Sequence, residues 1–332
     1  MKPEKVLVTT RSFGKEVREP MERLRREGCR ILEWREGSSL PESDLLTKLA
    51  EADAWIVAFH PIGSALLDAA PRLRIIAKHG VGVDNIDIAA ATARGIVVTT
   101  APSANDQAVA DLTMALLLSL LRRIPEANTS VKAGRWERFL GCGLSGKVMG
   151  ILGLGRIGQN VARRAKGFGV ELIGADPFWP DETARGIGIR RVEPNELFAQ
   201  ADIISLHAPL TPETTGLIGE AAIAAMKPGV WIVNTSRGKV VDEKAMHEAL
   251  RSGRVAGYAT DVFESEPPAG NLLLALPNVV ATPHMGTHTR ESLKLMGDRV
   301  ADAVLRVFRG ERPEFVVNPE VYDRFPSART TR

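Results

Sequence analysis

The chain is poor in cysteine. Its 332 residues include two, Cys29 and Cys142, far apart and outside any metal-ligand spacing. That excludes a disulfide-stapled secreted domain or a zinc module and leads us to expect no metal site and a reducing, cytoplasmic setting. Charge of one sign is also scarce. The 43 basic and 40 acidic residues leave a formal +3 with the signs interspersed, so no basic stripe offers a nucleic-acid surface. Long apolar runs are missing: Leu112 to Leu121, the longest, is about half of a bilayer span. The residues after Met1 run straight into a strand-like stretch without the apolar core of a signal peptide, so neither membrane insertion nor secretion is expected. No fixed-period repeat and no low-complexity tract is found. What remains is ordinary soluble composition, 44% apolar and 25% charged, in a length that suits about two domains with a core each.

Short apolar runs alternate with helix-period segments, the punctuation of an α/β protein. Strands are predicted at Val6–Thr10, Arg30–Trp34, Ala54–Ala58, Ile75–Lys78 and Val97–Thr99. Helices are predicted at Val17–Glu27, Ser43–Ala50 and Ile88–Ala93, then a long one over Asp106–Leu121. Lys132 to Arg138 reads as a polar loop. From Lys147 a second series begins, with strands at Val148–Leu152, Glu171–Ala175, Ile203–His207, Trp231–Asn234, Gly257–Asp261 and Val279–Thr282. A helix over Arg290–Arg309 follows, and the tail from Asn318 is expected to fray. Most of these strands are apolar on both alternations, as parallel strands covered on two faces require.

Gly153-Leu154-Gly155-Arg156-Ile157-Gly158 is a G-x-G-x-x-G run between a clean strand and a helix predicted over Ile157–Phe168. In that context Gly153 serves the tight turn, Gly155 leaves bare backbone for a pyrophosphate, and Gly158 allows close helix–strand packing. The helix N-terminus then presents unpaired N–H groups to the phosphates. Asp176 ends the next strand about 20 residues on, where a carboxylate accepts the ribose hydroxyls and repels a 2′-phosphate. No arginine follows it directly, so the expected cofactor is NAD. A glycine turn beside a solvated aspartate is the plainer alternative.

Three segments at later strand ends carry candidate chemistry: Asn234-Thr235-Ser236-Arg237-Gly238, Asp261 to Pro268, and Thr282-Pro283-His284-Met285-Gly286. In open α/β sheets such ends share one crevice. Hydride exchange with a 2-hydroxy acid needs a cation for the carboxylate, a group titrating near neutrality for the hydroxyl proton, and a carboxylate to orient that group. Arg237, His284 and Glu266 suit these roles in turn. Singly, each has a plainer reading: a surface arginine at a helix start, a strand-end histidine, a solvated loop acid.

The sequence resembles the D-2-hydroxyacid dehydrogenases, most of all the branch containing D-3-phosphoglycerate dehydrogenase. The resemblance runs from about Ala54 to Val317 and rests on Gly80-Val81-Gly82-Val83-Asp84-Asn85-Ile86-Asp87, the glycine fingerprint, His207-Ala208-Pro209 and the three segments above. It implies two Rossmann-like domains: a flavodoxin-like substrate-binding lobe from residues 1–101 and 288–332, and an inserted, doubly wound NAD-binding sheet over 102–287. Crossings near Pro102 and His288 would be hinges that close on the substrate. It implies Arg237 as substrate anchor, Glu266 as partner of the acid/base and His284 as that acid/base. NAD contacts are implied at Arg156, Ile157, Asp176, His207, Ala208, Pro209, Thr235, Asp261 and Gly286. Substrate contacts are implied at Lys78, Gly80, Val81 and Gly82, with a small 2-hydroxy or 2-oxo acid as substrate. By analogy a homodimer through the NAD domain is expected.

The resemblance thins after the third strand. Relatives that use phosphoglycerate usually carry an Arg-Ser-x-Thr-like segment there, whereas this chain has Ala58-Phe59-His60-Pro61-Ile62, cationic only if His60 is protonated. Two alternatives share the scaffold: a NAD-sensing corepressor-like interaction protein, and a dehydrogenase of an oxyanion such as phosphite. No appended regulatory domain is expected. Trp179 reads as a surface or hinge residue.

Overall fold

Two parallel sheets organise the chain in this computed structural model, which describes residues 3–35, 37 and 40–324. They belong to two compact units. One is continuous, Asp106–Gly286; the other joins Met1–Asn105 to Thr287–Arg332.

The discontinuous unit contains β1 (Lys5–Val8), β2 (Arg30–Glu33), β3 (Ala54–Val57), β4 (Ile75–Lys78) and β5 (Val97–Thr99). Their order, β2-β1-β3-β4-β5 with every pair parallel, is the flavodoxin-like arrangement. Alternation along each strand divides the core in two. Val6, Val8, Ile56 and Ile75 meet Val300, Ala301 and Val304 of the helix Arg290–Phe308. Leu7, Trp55, Val57 and Ile76 meet Leu45 and Leu49 of the helix Glu42–Glu51. The strands stop short of the predicted ends, leaving Thr10 and Trp34 in loops. Asn318 is not frayed, because it is fully buried and tied to the edge of the sheet. Its Oδ1 accepts from the Val98 N–H at 2.8 Å, and its amide donates to Thr92 Oγ1 and Ile96 O at 2.9 Å. Val321–Arg324 is helical, and the arginine-containing end of the expected tail lies outside the described residues.

The continuous unit contains β6 (Val148–Leu152), β7 (Glu171–Ala175), β8 (Arg190–Arg191), β9 (Ile203–Leu206), β10 (Val230–Asn234), β11 (Val255–Thr260) and β12 (Val279–Ala281). The order β12-β11-β10-β9-β6-β7-β8 reverses direction between β6 and β9, a Rossmann topology with its switch point there. Ala110, Met114, Leu117 and Leu121 of the helix Asp106–Leu121 pack with Met149, Ile151 and Val161 on one face. β8 escapes sequence reading because it is two exposed arginines at an edge. A helix over Ile124–Lys132 also escapes it; Pro125 stands in its first turn, a proline position that costs no hydrogen bond. Trp179 is half-buried: it lies against Gly174, with the Arg191 guanidinium 5.8 Å from its ring. Among the described residues no helix is long and apolar enough to cross a membrane, and no group of three or more acidic, cysteine or histidine side chains is placed to hold a metal.

Candidate active site

At the switch point, backbone geometry explains the glycines. Gly153 has φ +94°, and a Cβ there would stand 2.6 Å from the His207 carbonyl carbon, so the loop after β6 presses on the loop after β9. At Gly158 a Cβ would meet Gly153 O at 2.1 Å. At Gly155 it would meet nothing within 4 Å, which leaves bare backbone facing open space. Gly155 caps the helix Arg156–Lys166 without any side-chain cap, and the first-turn N–H groups of Arg156 and Ile157 donate no hydrogen bond among the described residues, which leaves them available to a ligand. Asp176 accepts from Leu154 N at 2.6 Å and from Phe178 N at 2.7 Å, which fixes its carboxylate at the end of β7. The His207 Nε2 lies 2.7 Å from Ser205 Oγ, while Nδ1 is enclosed with no hydrogen-bond partner among the described residues. Burial pushes this imidazole down to about 3, so it is neutral. Glycines shaped for close approach, a free helix N-terminus, a fixed carboxylate and an orphaned ring nitrogen make a donor and acceptor set that suits a dinucleotide.

The ends of β10, β11 and β12 lie side by side, since Asn234 registers with Thr260 and Thr260 with Ala281. Beyond β12 the chain turns sharply, and His284 takes φ +50°, a left-handed conformation that disfavours a side chain. Asp261 holds that turn. Its Oδ1 accepts from Thr282 Oγ1 at 2.6 Å and Met285 N at 2.8 Å, and its Oδ2 from Gly286 N at 2.8 Å. Glu266 supplies the other constraint. Its Oε1 accepts from Phe263 N at 3.1 Å, and its Oε2 lies 2.7 Å from His284 Nδ1. Both side chains keep some exposure, 25% for His284 and 33% for Glu266.

Arg237 leaves β10 in extended backbone, with Nη1 donating to Ser236 O at 2.8 Å. Asn234, fully buried, donates to Arg237 O at 3.0 Å and accepts from Ser236, which locks the turn. Gly238 brings this turn onto the Glu266 loop: a Cβ there would sit 1.9 Å from the Phe263 carbonyl carbon. Glu243 and Glu264 each accept the other's backbone N–H, at 3.0 and 3.1 Å, and brace the same approach. Thr235 bonds to Thr113 of the helix Asp106–Leu121 at 2.8 Å. Sequence reading placed Asn234 and Asp261 in candidate segments but missed their organising roles, since neither has a local signal beyond its residue type.

In the discontinuous unit, Gly80, Val81 and Gly82 form a loop after β4, with Val81 exposed and both glycines half-buried. Their N–H groups donate no hydrogen bond among the described residues. Lys78 is buried beneath, its ammonium directed at Ala58 O and Asn85 Oδ1, so it braces the loops after β3 and β4. The His60 ring lies 5.8 Å from both Trp34 and Trp55, and burial lowers its pKa, so this segment carries no cation near neutrality.

A family model described as D-isomer specific 2-hydroxyacid dehydrogenase, NAD binding domain, matches residues 114–286. The chain belongs to that family. Its continuous unit is the family's NAD-binding domain. Over 285 residues it is 47% identical to a D-3-phosphoglycerate dehydrogenase of Methanocaldococcus jannaschii, covering 85% of this chain and 54% of the relative. It thus spans about half the length of that enzyme. A glyoxylate reductase of Thermococcus litoralis is 43% identical over 303 residues, covering 88% of this chain and 92% of the relative. A D-lactate dehydrogenase of Aquifex aeolicus, solved with NAD and lactic acid, superposes with a TM-score of 0.82 at 30% identity, covering 92% and 96% of the two chains.

Proposed function

We propose that this family member transfers hydride between NAD and C2 of a small, unphosphorylated D-2-hydroxy or 2-oxo acid. The observation that carries the reading is the 2.7 Å pair of His284 and Glu266 at the carboxyl edge of a Rossmann sheet. Gly153, Gly155, Arg156, Ile157, Gly158, Asp176 and the His207–Pro209 loop would hold NAD, whose nicotinamide would accept or deliver the hydride. Glu266 accepts the hydrogen bond of His284 Nδ1–H and orients the ring, so the proton exchanged with the substrate oxygen is carried on Nε2. Arg237 anchors the carboxylate and polarises the carbonyl. The discontinuous unit is read as the substrate lobe, with the N–H groups of Gly80, Val81 and Gly82 as donors to a substrate carboxylate. A neutral His60 and an engaged Lys78 leave the segment after β3 without a cation for a phosphate, which favours glyoxylate- or hydroxypyruvate-like substrates over a phosphorylated one.

The test is NADH oxidation with glyoxylate, hydroxypyruvate, pyruvate and phosphohydroxypyruvate, and NAD reduction with phosphite. Turnover is expected with an unphosphorylated 2-oxo acid, and His284→Ala should lower it about 10²–10⁴-fold while NAD still binds. Turnover of phosphite alone, or a fully active His284→Ala, would overturn the reading. The named relatives are dehydrogenases and reductases, which weighs against an interaction protein. The reading includes a homodimer through the NAD unit, supported by Trp136 and Leu140, 84% and 93% exposed beyond the helix Ile124–Lys132. Sedimentation should give twice the chain mass. It also includes a cytoplasmic location, supported by the free Cys29 and Cys142.

A further inference from the structure

The discontinuous unit carries a cavity of 690 Å³ that none of the chemistry above uses. It lies between the loop after β1, the helix Glu19–Arg26 and the end of β2. The loop turns at Gly14, where φ is +71° and a Cβ would meet Met21 Cε at 2.3 Å, so it lies flat on the helix. Arg35 fastens the other wall: it donates to Phe13 O at 2.9 Å and to Thr10 O, and binds Glu33 through Nη2 at 2.9 Å. With Glu33 shared between Arg35 and Arg25, the latter at 3.6 Å, Arg11, Lys15 and Arg18 line the cavity against one further carboxylate, Glu22. Lys15 and Arg18 form no ion pair among the described residues. Gly37 leaves room for the Arg11 guanidinium at the rim, where a Cβ would stand 1.8 Å from its Nη2. A concave wall with an excess of cations concentrates the field, and the volume is that of a small-molecule site.

We propose that this cavity binds a small, multiply charged phosphorylated anion, with guanidinium forks on the phosphoryl oxygens. Occupancy has a route to the substrate loop. Ser12, between Arg11 and Phe13, has its Oγ 3.1 Å from His79 Nδ1, and the Phe13 ring stands edge-on to His79 at 5.6 Å. His79 is buried and immediately precedes Gly80–Gly82. An anion that orders the loop after β1 therefore acts on the residue that seats the glycine loop. This second step rests on the proposed carboxylate role of that loop; the binding step does not.

Calorimetric titration of the full chain with inorganic pyrophosphate, in about 0.15 M salt to screen weak surface attraction, tests the binding. One site of sub-millimolar affinity is expected, weakened about tenfold or more in the Lys15→Gln/Arg18→Gln double variant, whose circular dichroism and pyrophosphate-free turnover should match the parent. No binding, or equal binding by the variant, would overturn the site. Citrate distinguishes phosphate recognition from a bare positive field: equal affinity for it would overturn the phosphoryl assignment. For the second step, pyrophosphate should change KM for the 2-oxo acid several-fold in the parent and not in Ser12→Ala, with binding retained. A KM unmoved in the parent would overturn the coupling while leaving the calorimetric result to decide the site.

Discussion

The acid/base candidate owes its position to two carboxylates with different tasks. Glu266 faces the ring, whereas Asp261 never touches it and instead fixes the left-handed turn on which it stands. A non-glycine residue in that region costs about 1–2 kcal/mol, and three hydrogen bonds to one buried carboxylate offset it. Asp261→Asn would place an amide donor against a backbone donor. We expect kcat to fall about 10²-fold with NADH affinity little changed, as for a small misplacement of a catalytic group; steady-state kinetics with a fluorescence titration of NADH would check it. Asp176 acts on the cofactor instead. Asp176→Ala should lose roughly 1.5–3 kcal/mol of charged hydrogen bonding to the ribose and narrow the preference for NAD over NADP, read as the ratio of kcat/KM for the two. An unaltered ratio would remove the ribose role.

Among elements, the decisive contacts are between loops at strand ends. The turn after β10 reaches the loop after β11 only because Gly238 has no side chain. Gly238→Ala should destabilise the unit by about 1–3 kcal/mol, the usual range for overpacking, and lower kcat because Arg237 and Glu266 move apart. Gly143→Ala, where a Cβ meets nothing within 4 Å, is the neutral control in urea denaturation. The helices and strands that position these loops were largely legible: β4, β5, β6 and β7 end where hydrophobic patterning places them. The helix Ile124–Lys132 and β8 were not, because the first has a weakly apolar surface stripe and the second no apolar residue.

For the molecule as a whole, two desolvated imidazoles set an acid limit. Burial holds His207 near 3 and His79 near 4, against 6.5 for a free imidazole. The unfolded chain therefore binds more protons as pH drops below about 6.5, and folded stability declines across that window until the folded values are reached. Each imidazole contributes a loss of roughly 1.4 kcal/mol per pH unit, about 2 kcal/mol by pH 5. Urea denaturation at pH 7 and 5 should show this decline, reduced in His207→Asn and in His79→Asn; an unchanged decline in both would reject the assignment.

Sequence alone determined the alternating α/β pattern, the glycine fingerprint with its acidic partner, and the identity and order of Arg237, Glu266 and His284, since periodicity and motif chemistry are local properties. Tertiary structure decided what those residues face. That Lys78 braces two loops, that His60 is neutral between two tryptophans, that Asn318 belongs to the core and that Asp261 holds the histidine turn all follow from contacts between segments distant in the chain. Burial and hydrogen-bond partners exist only once the sheet has brought such segments together.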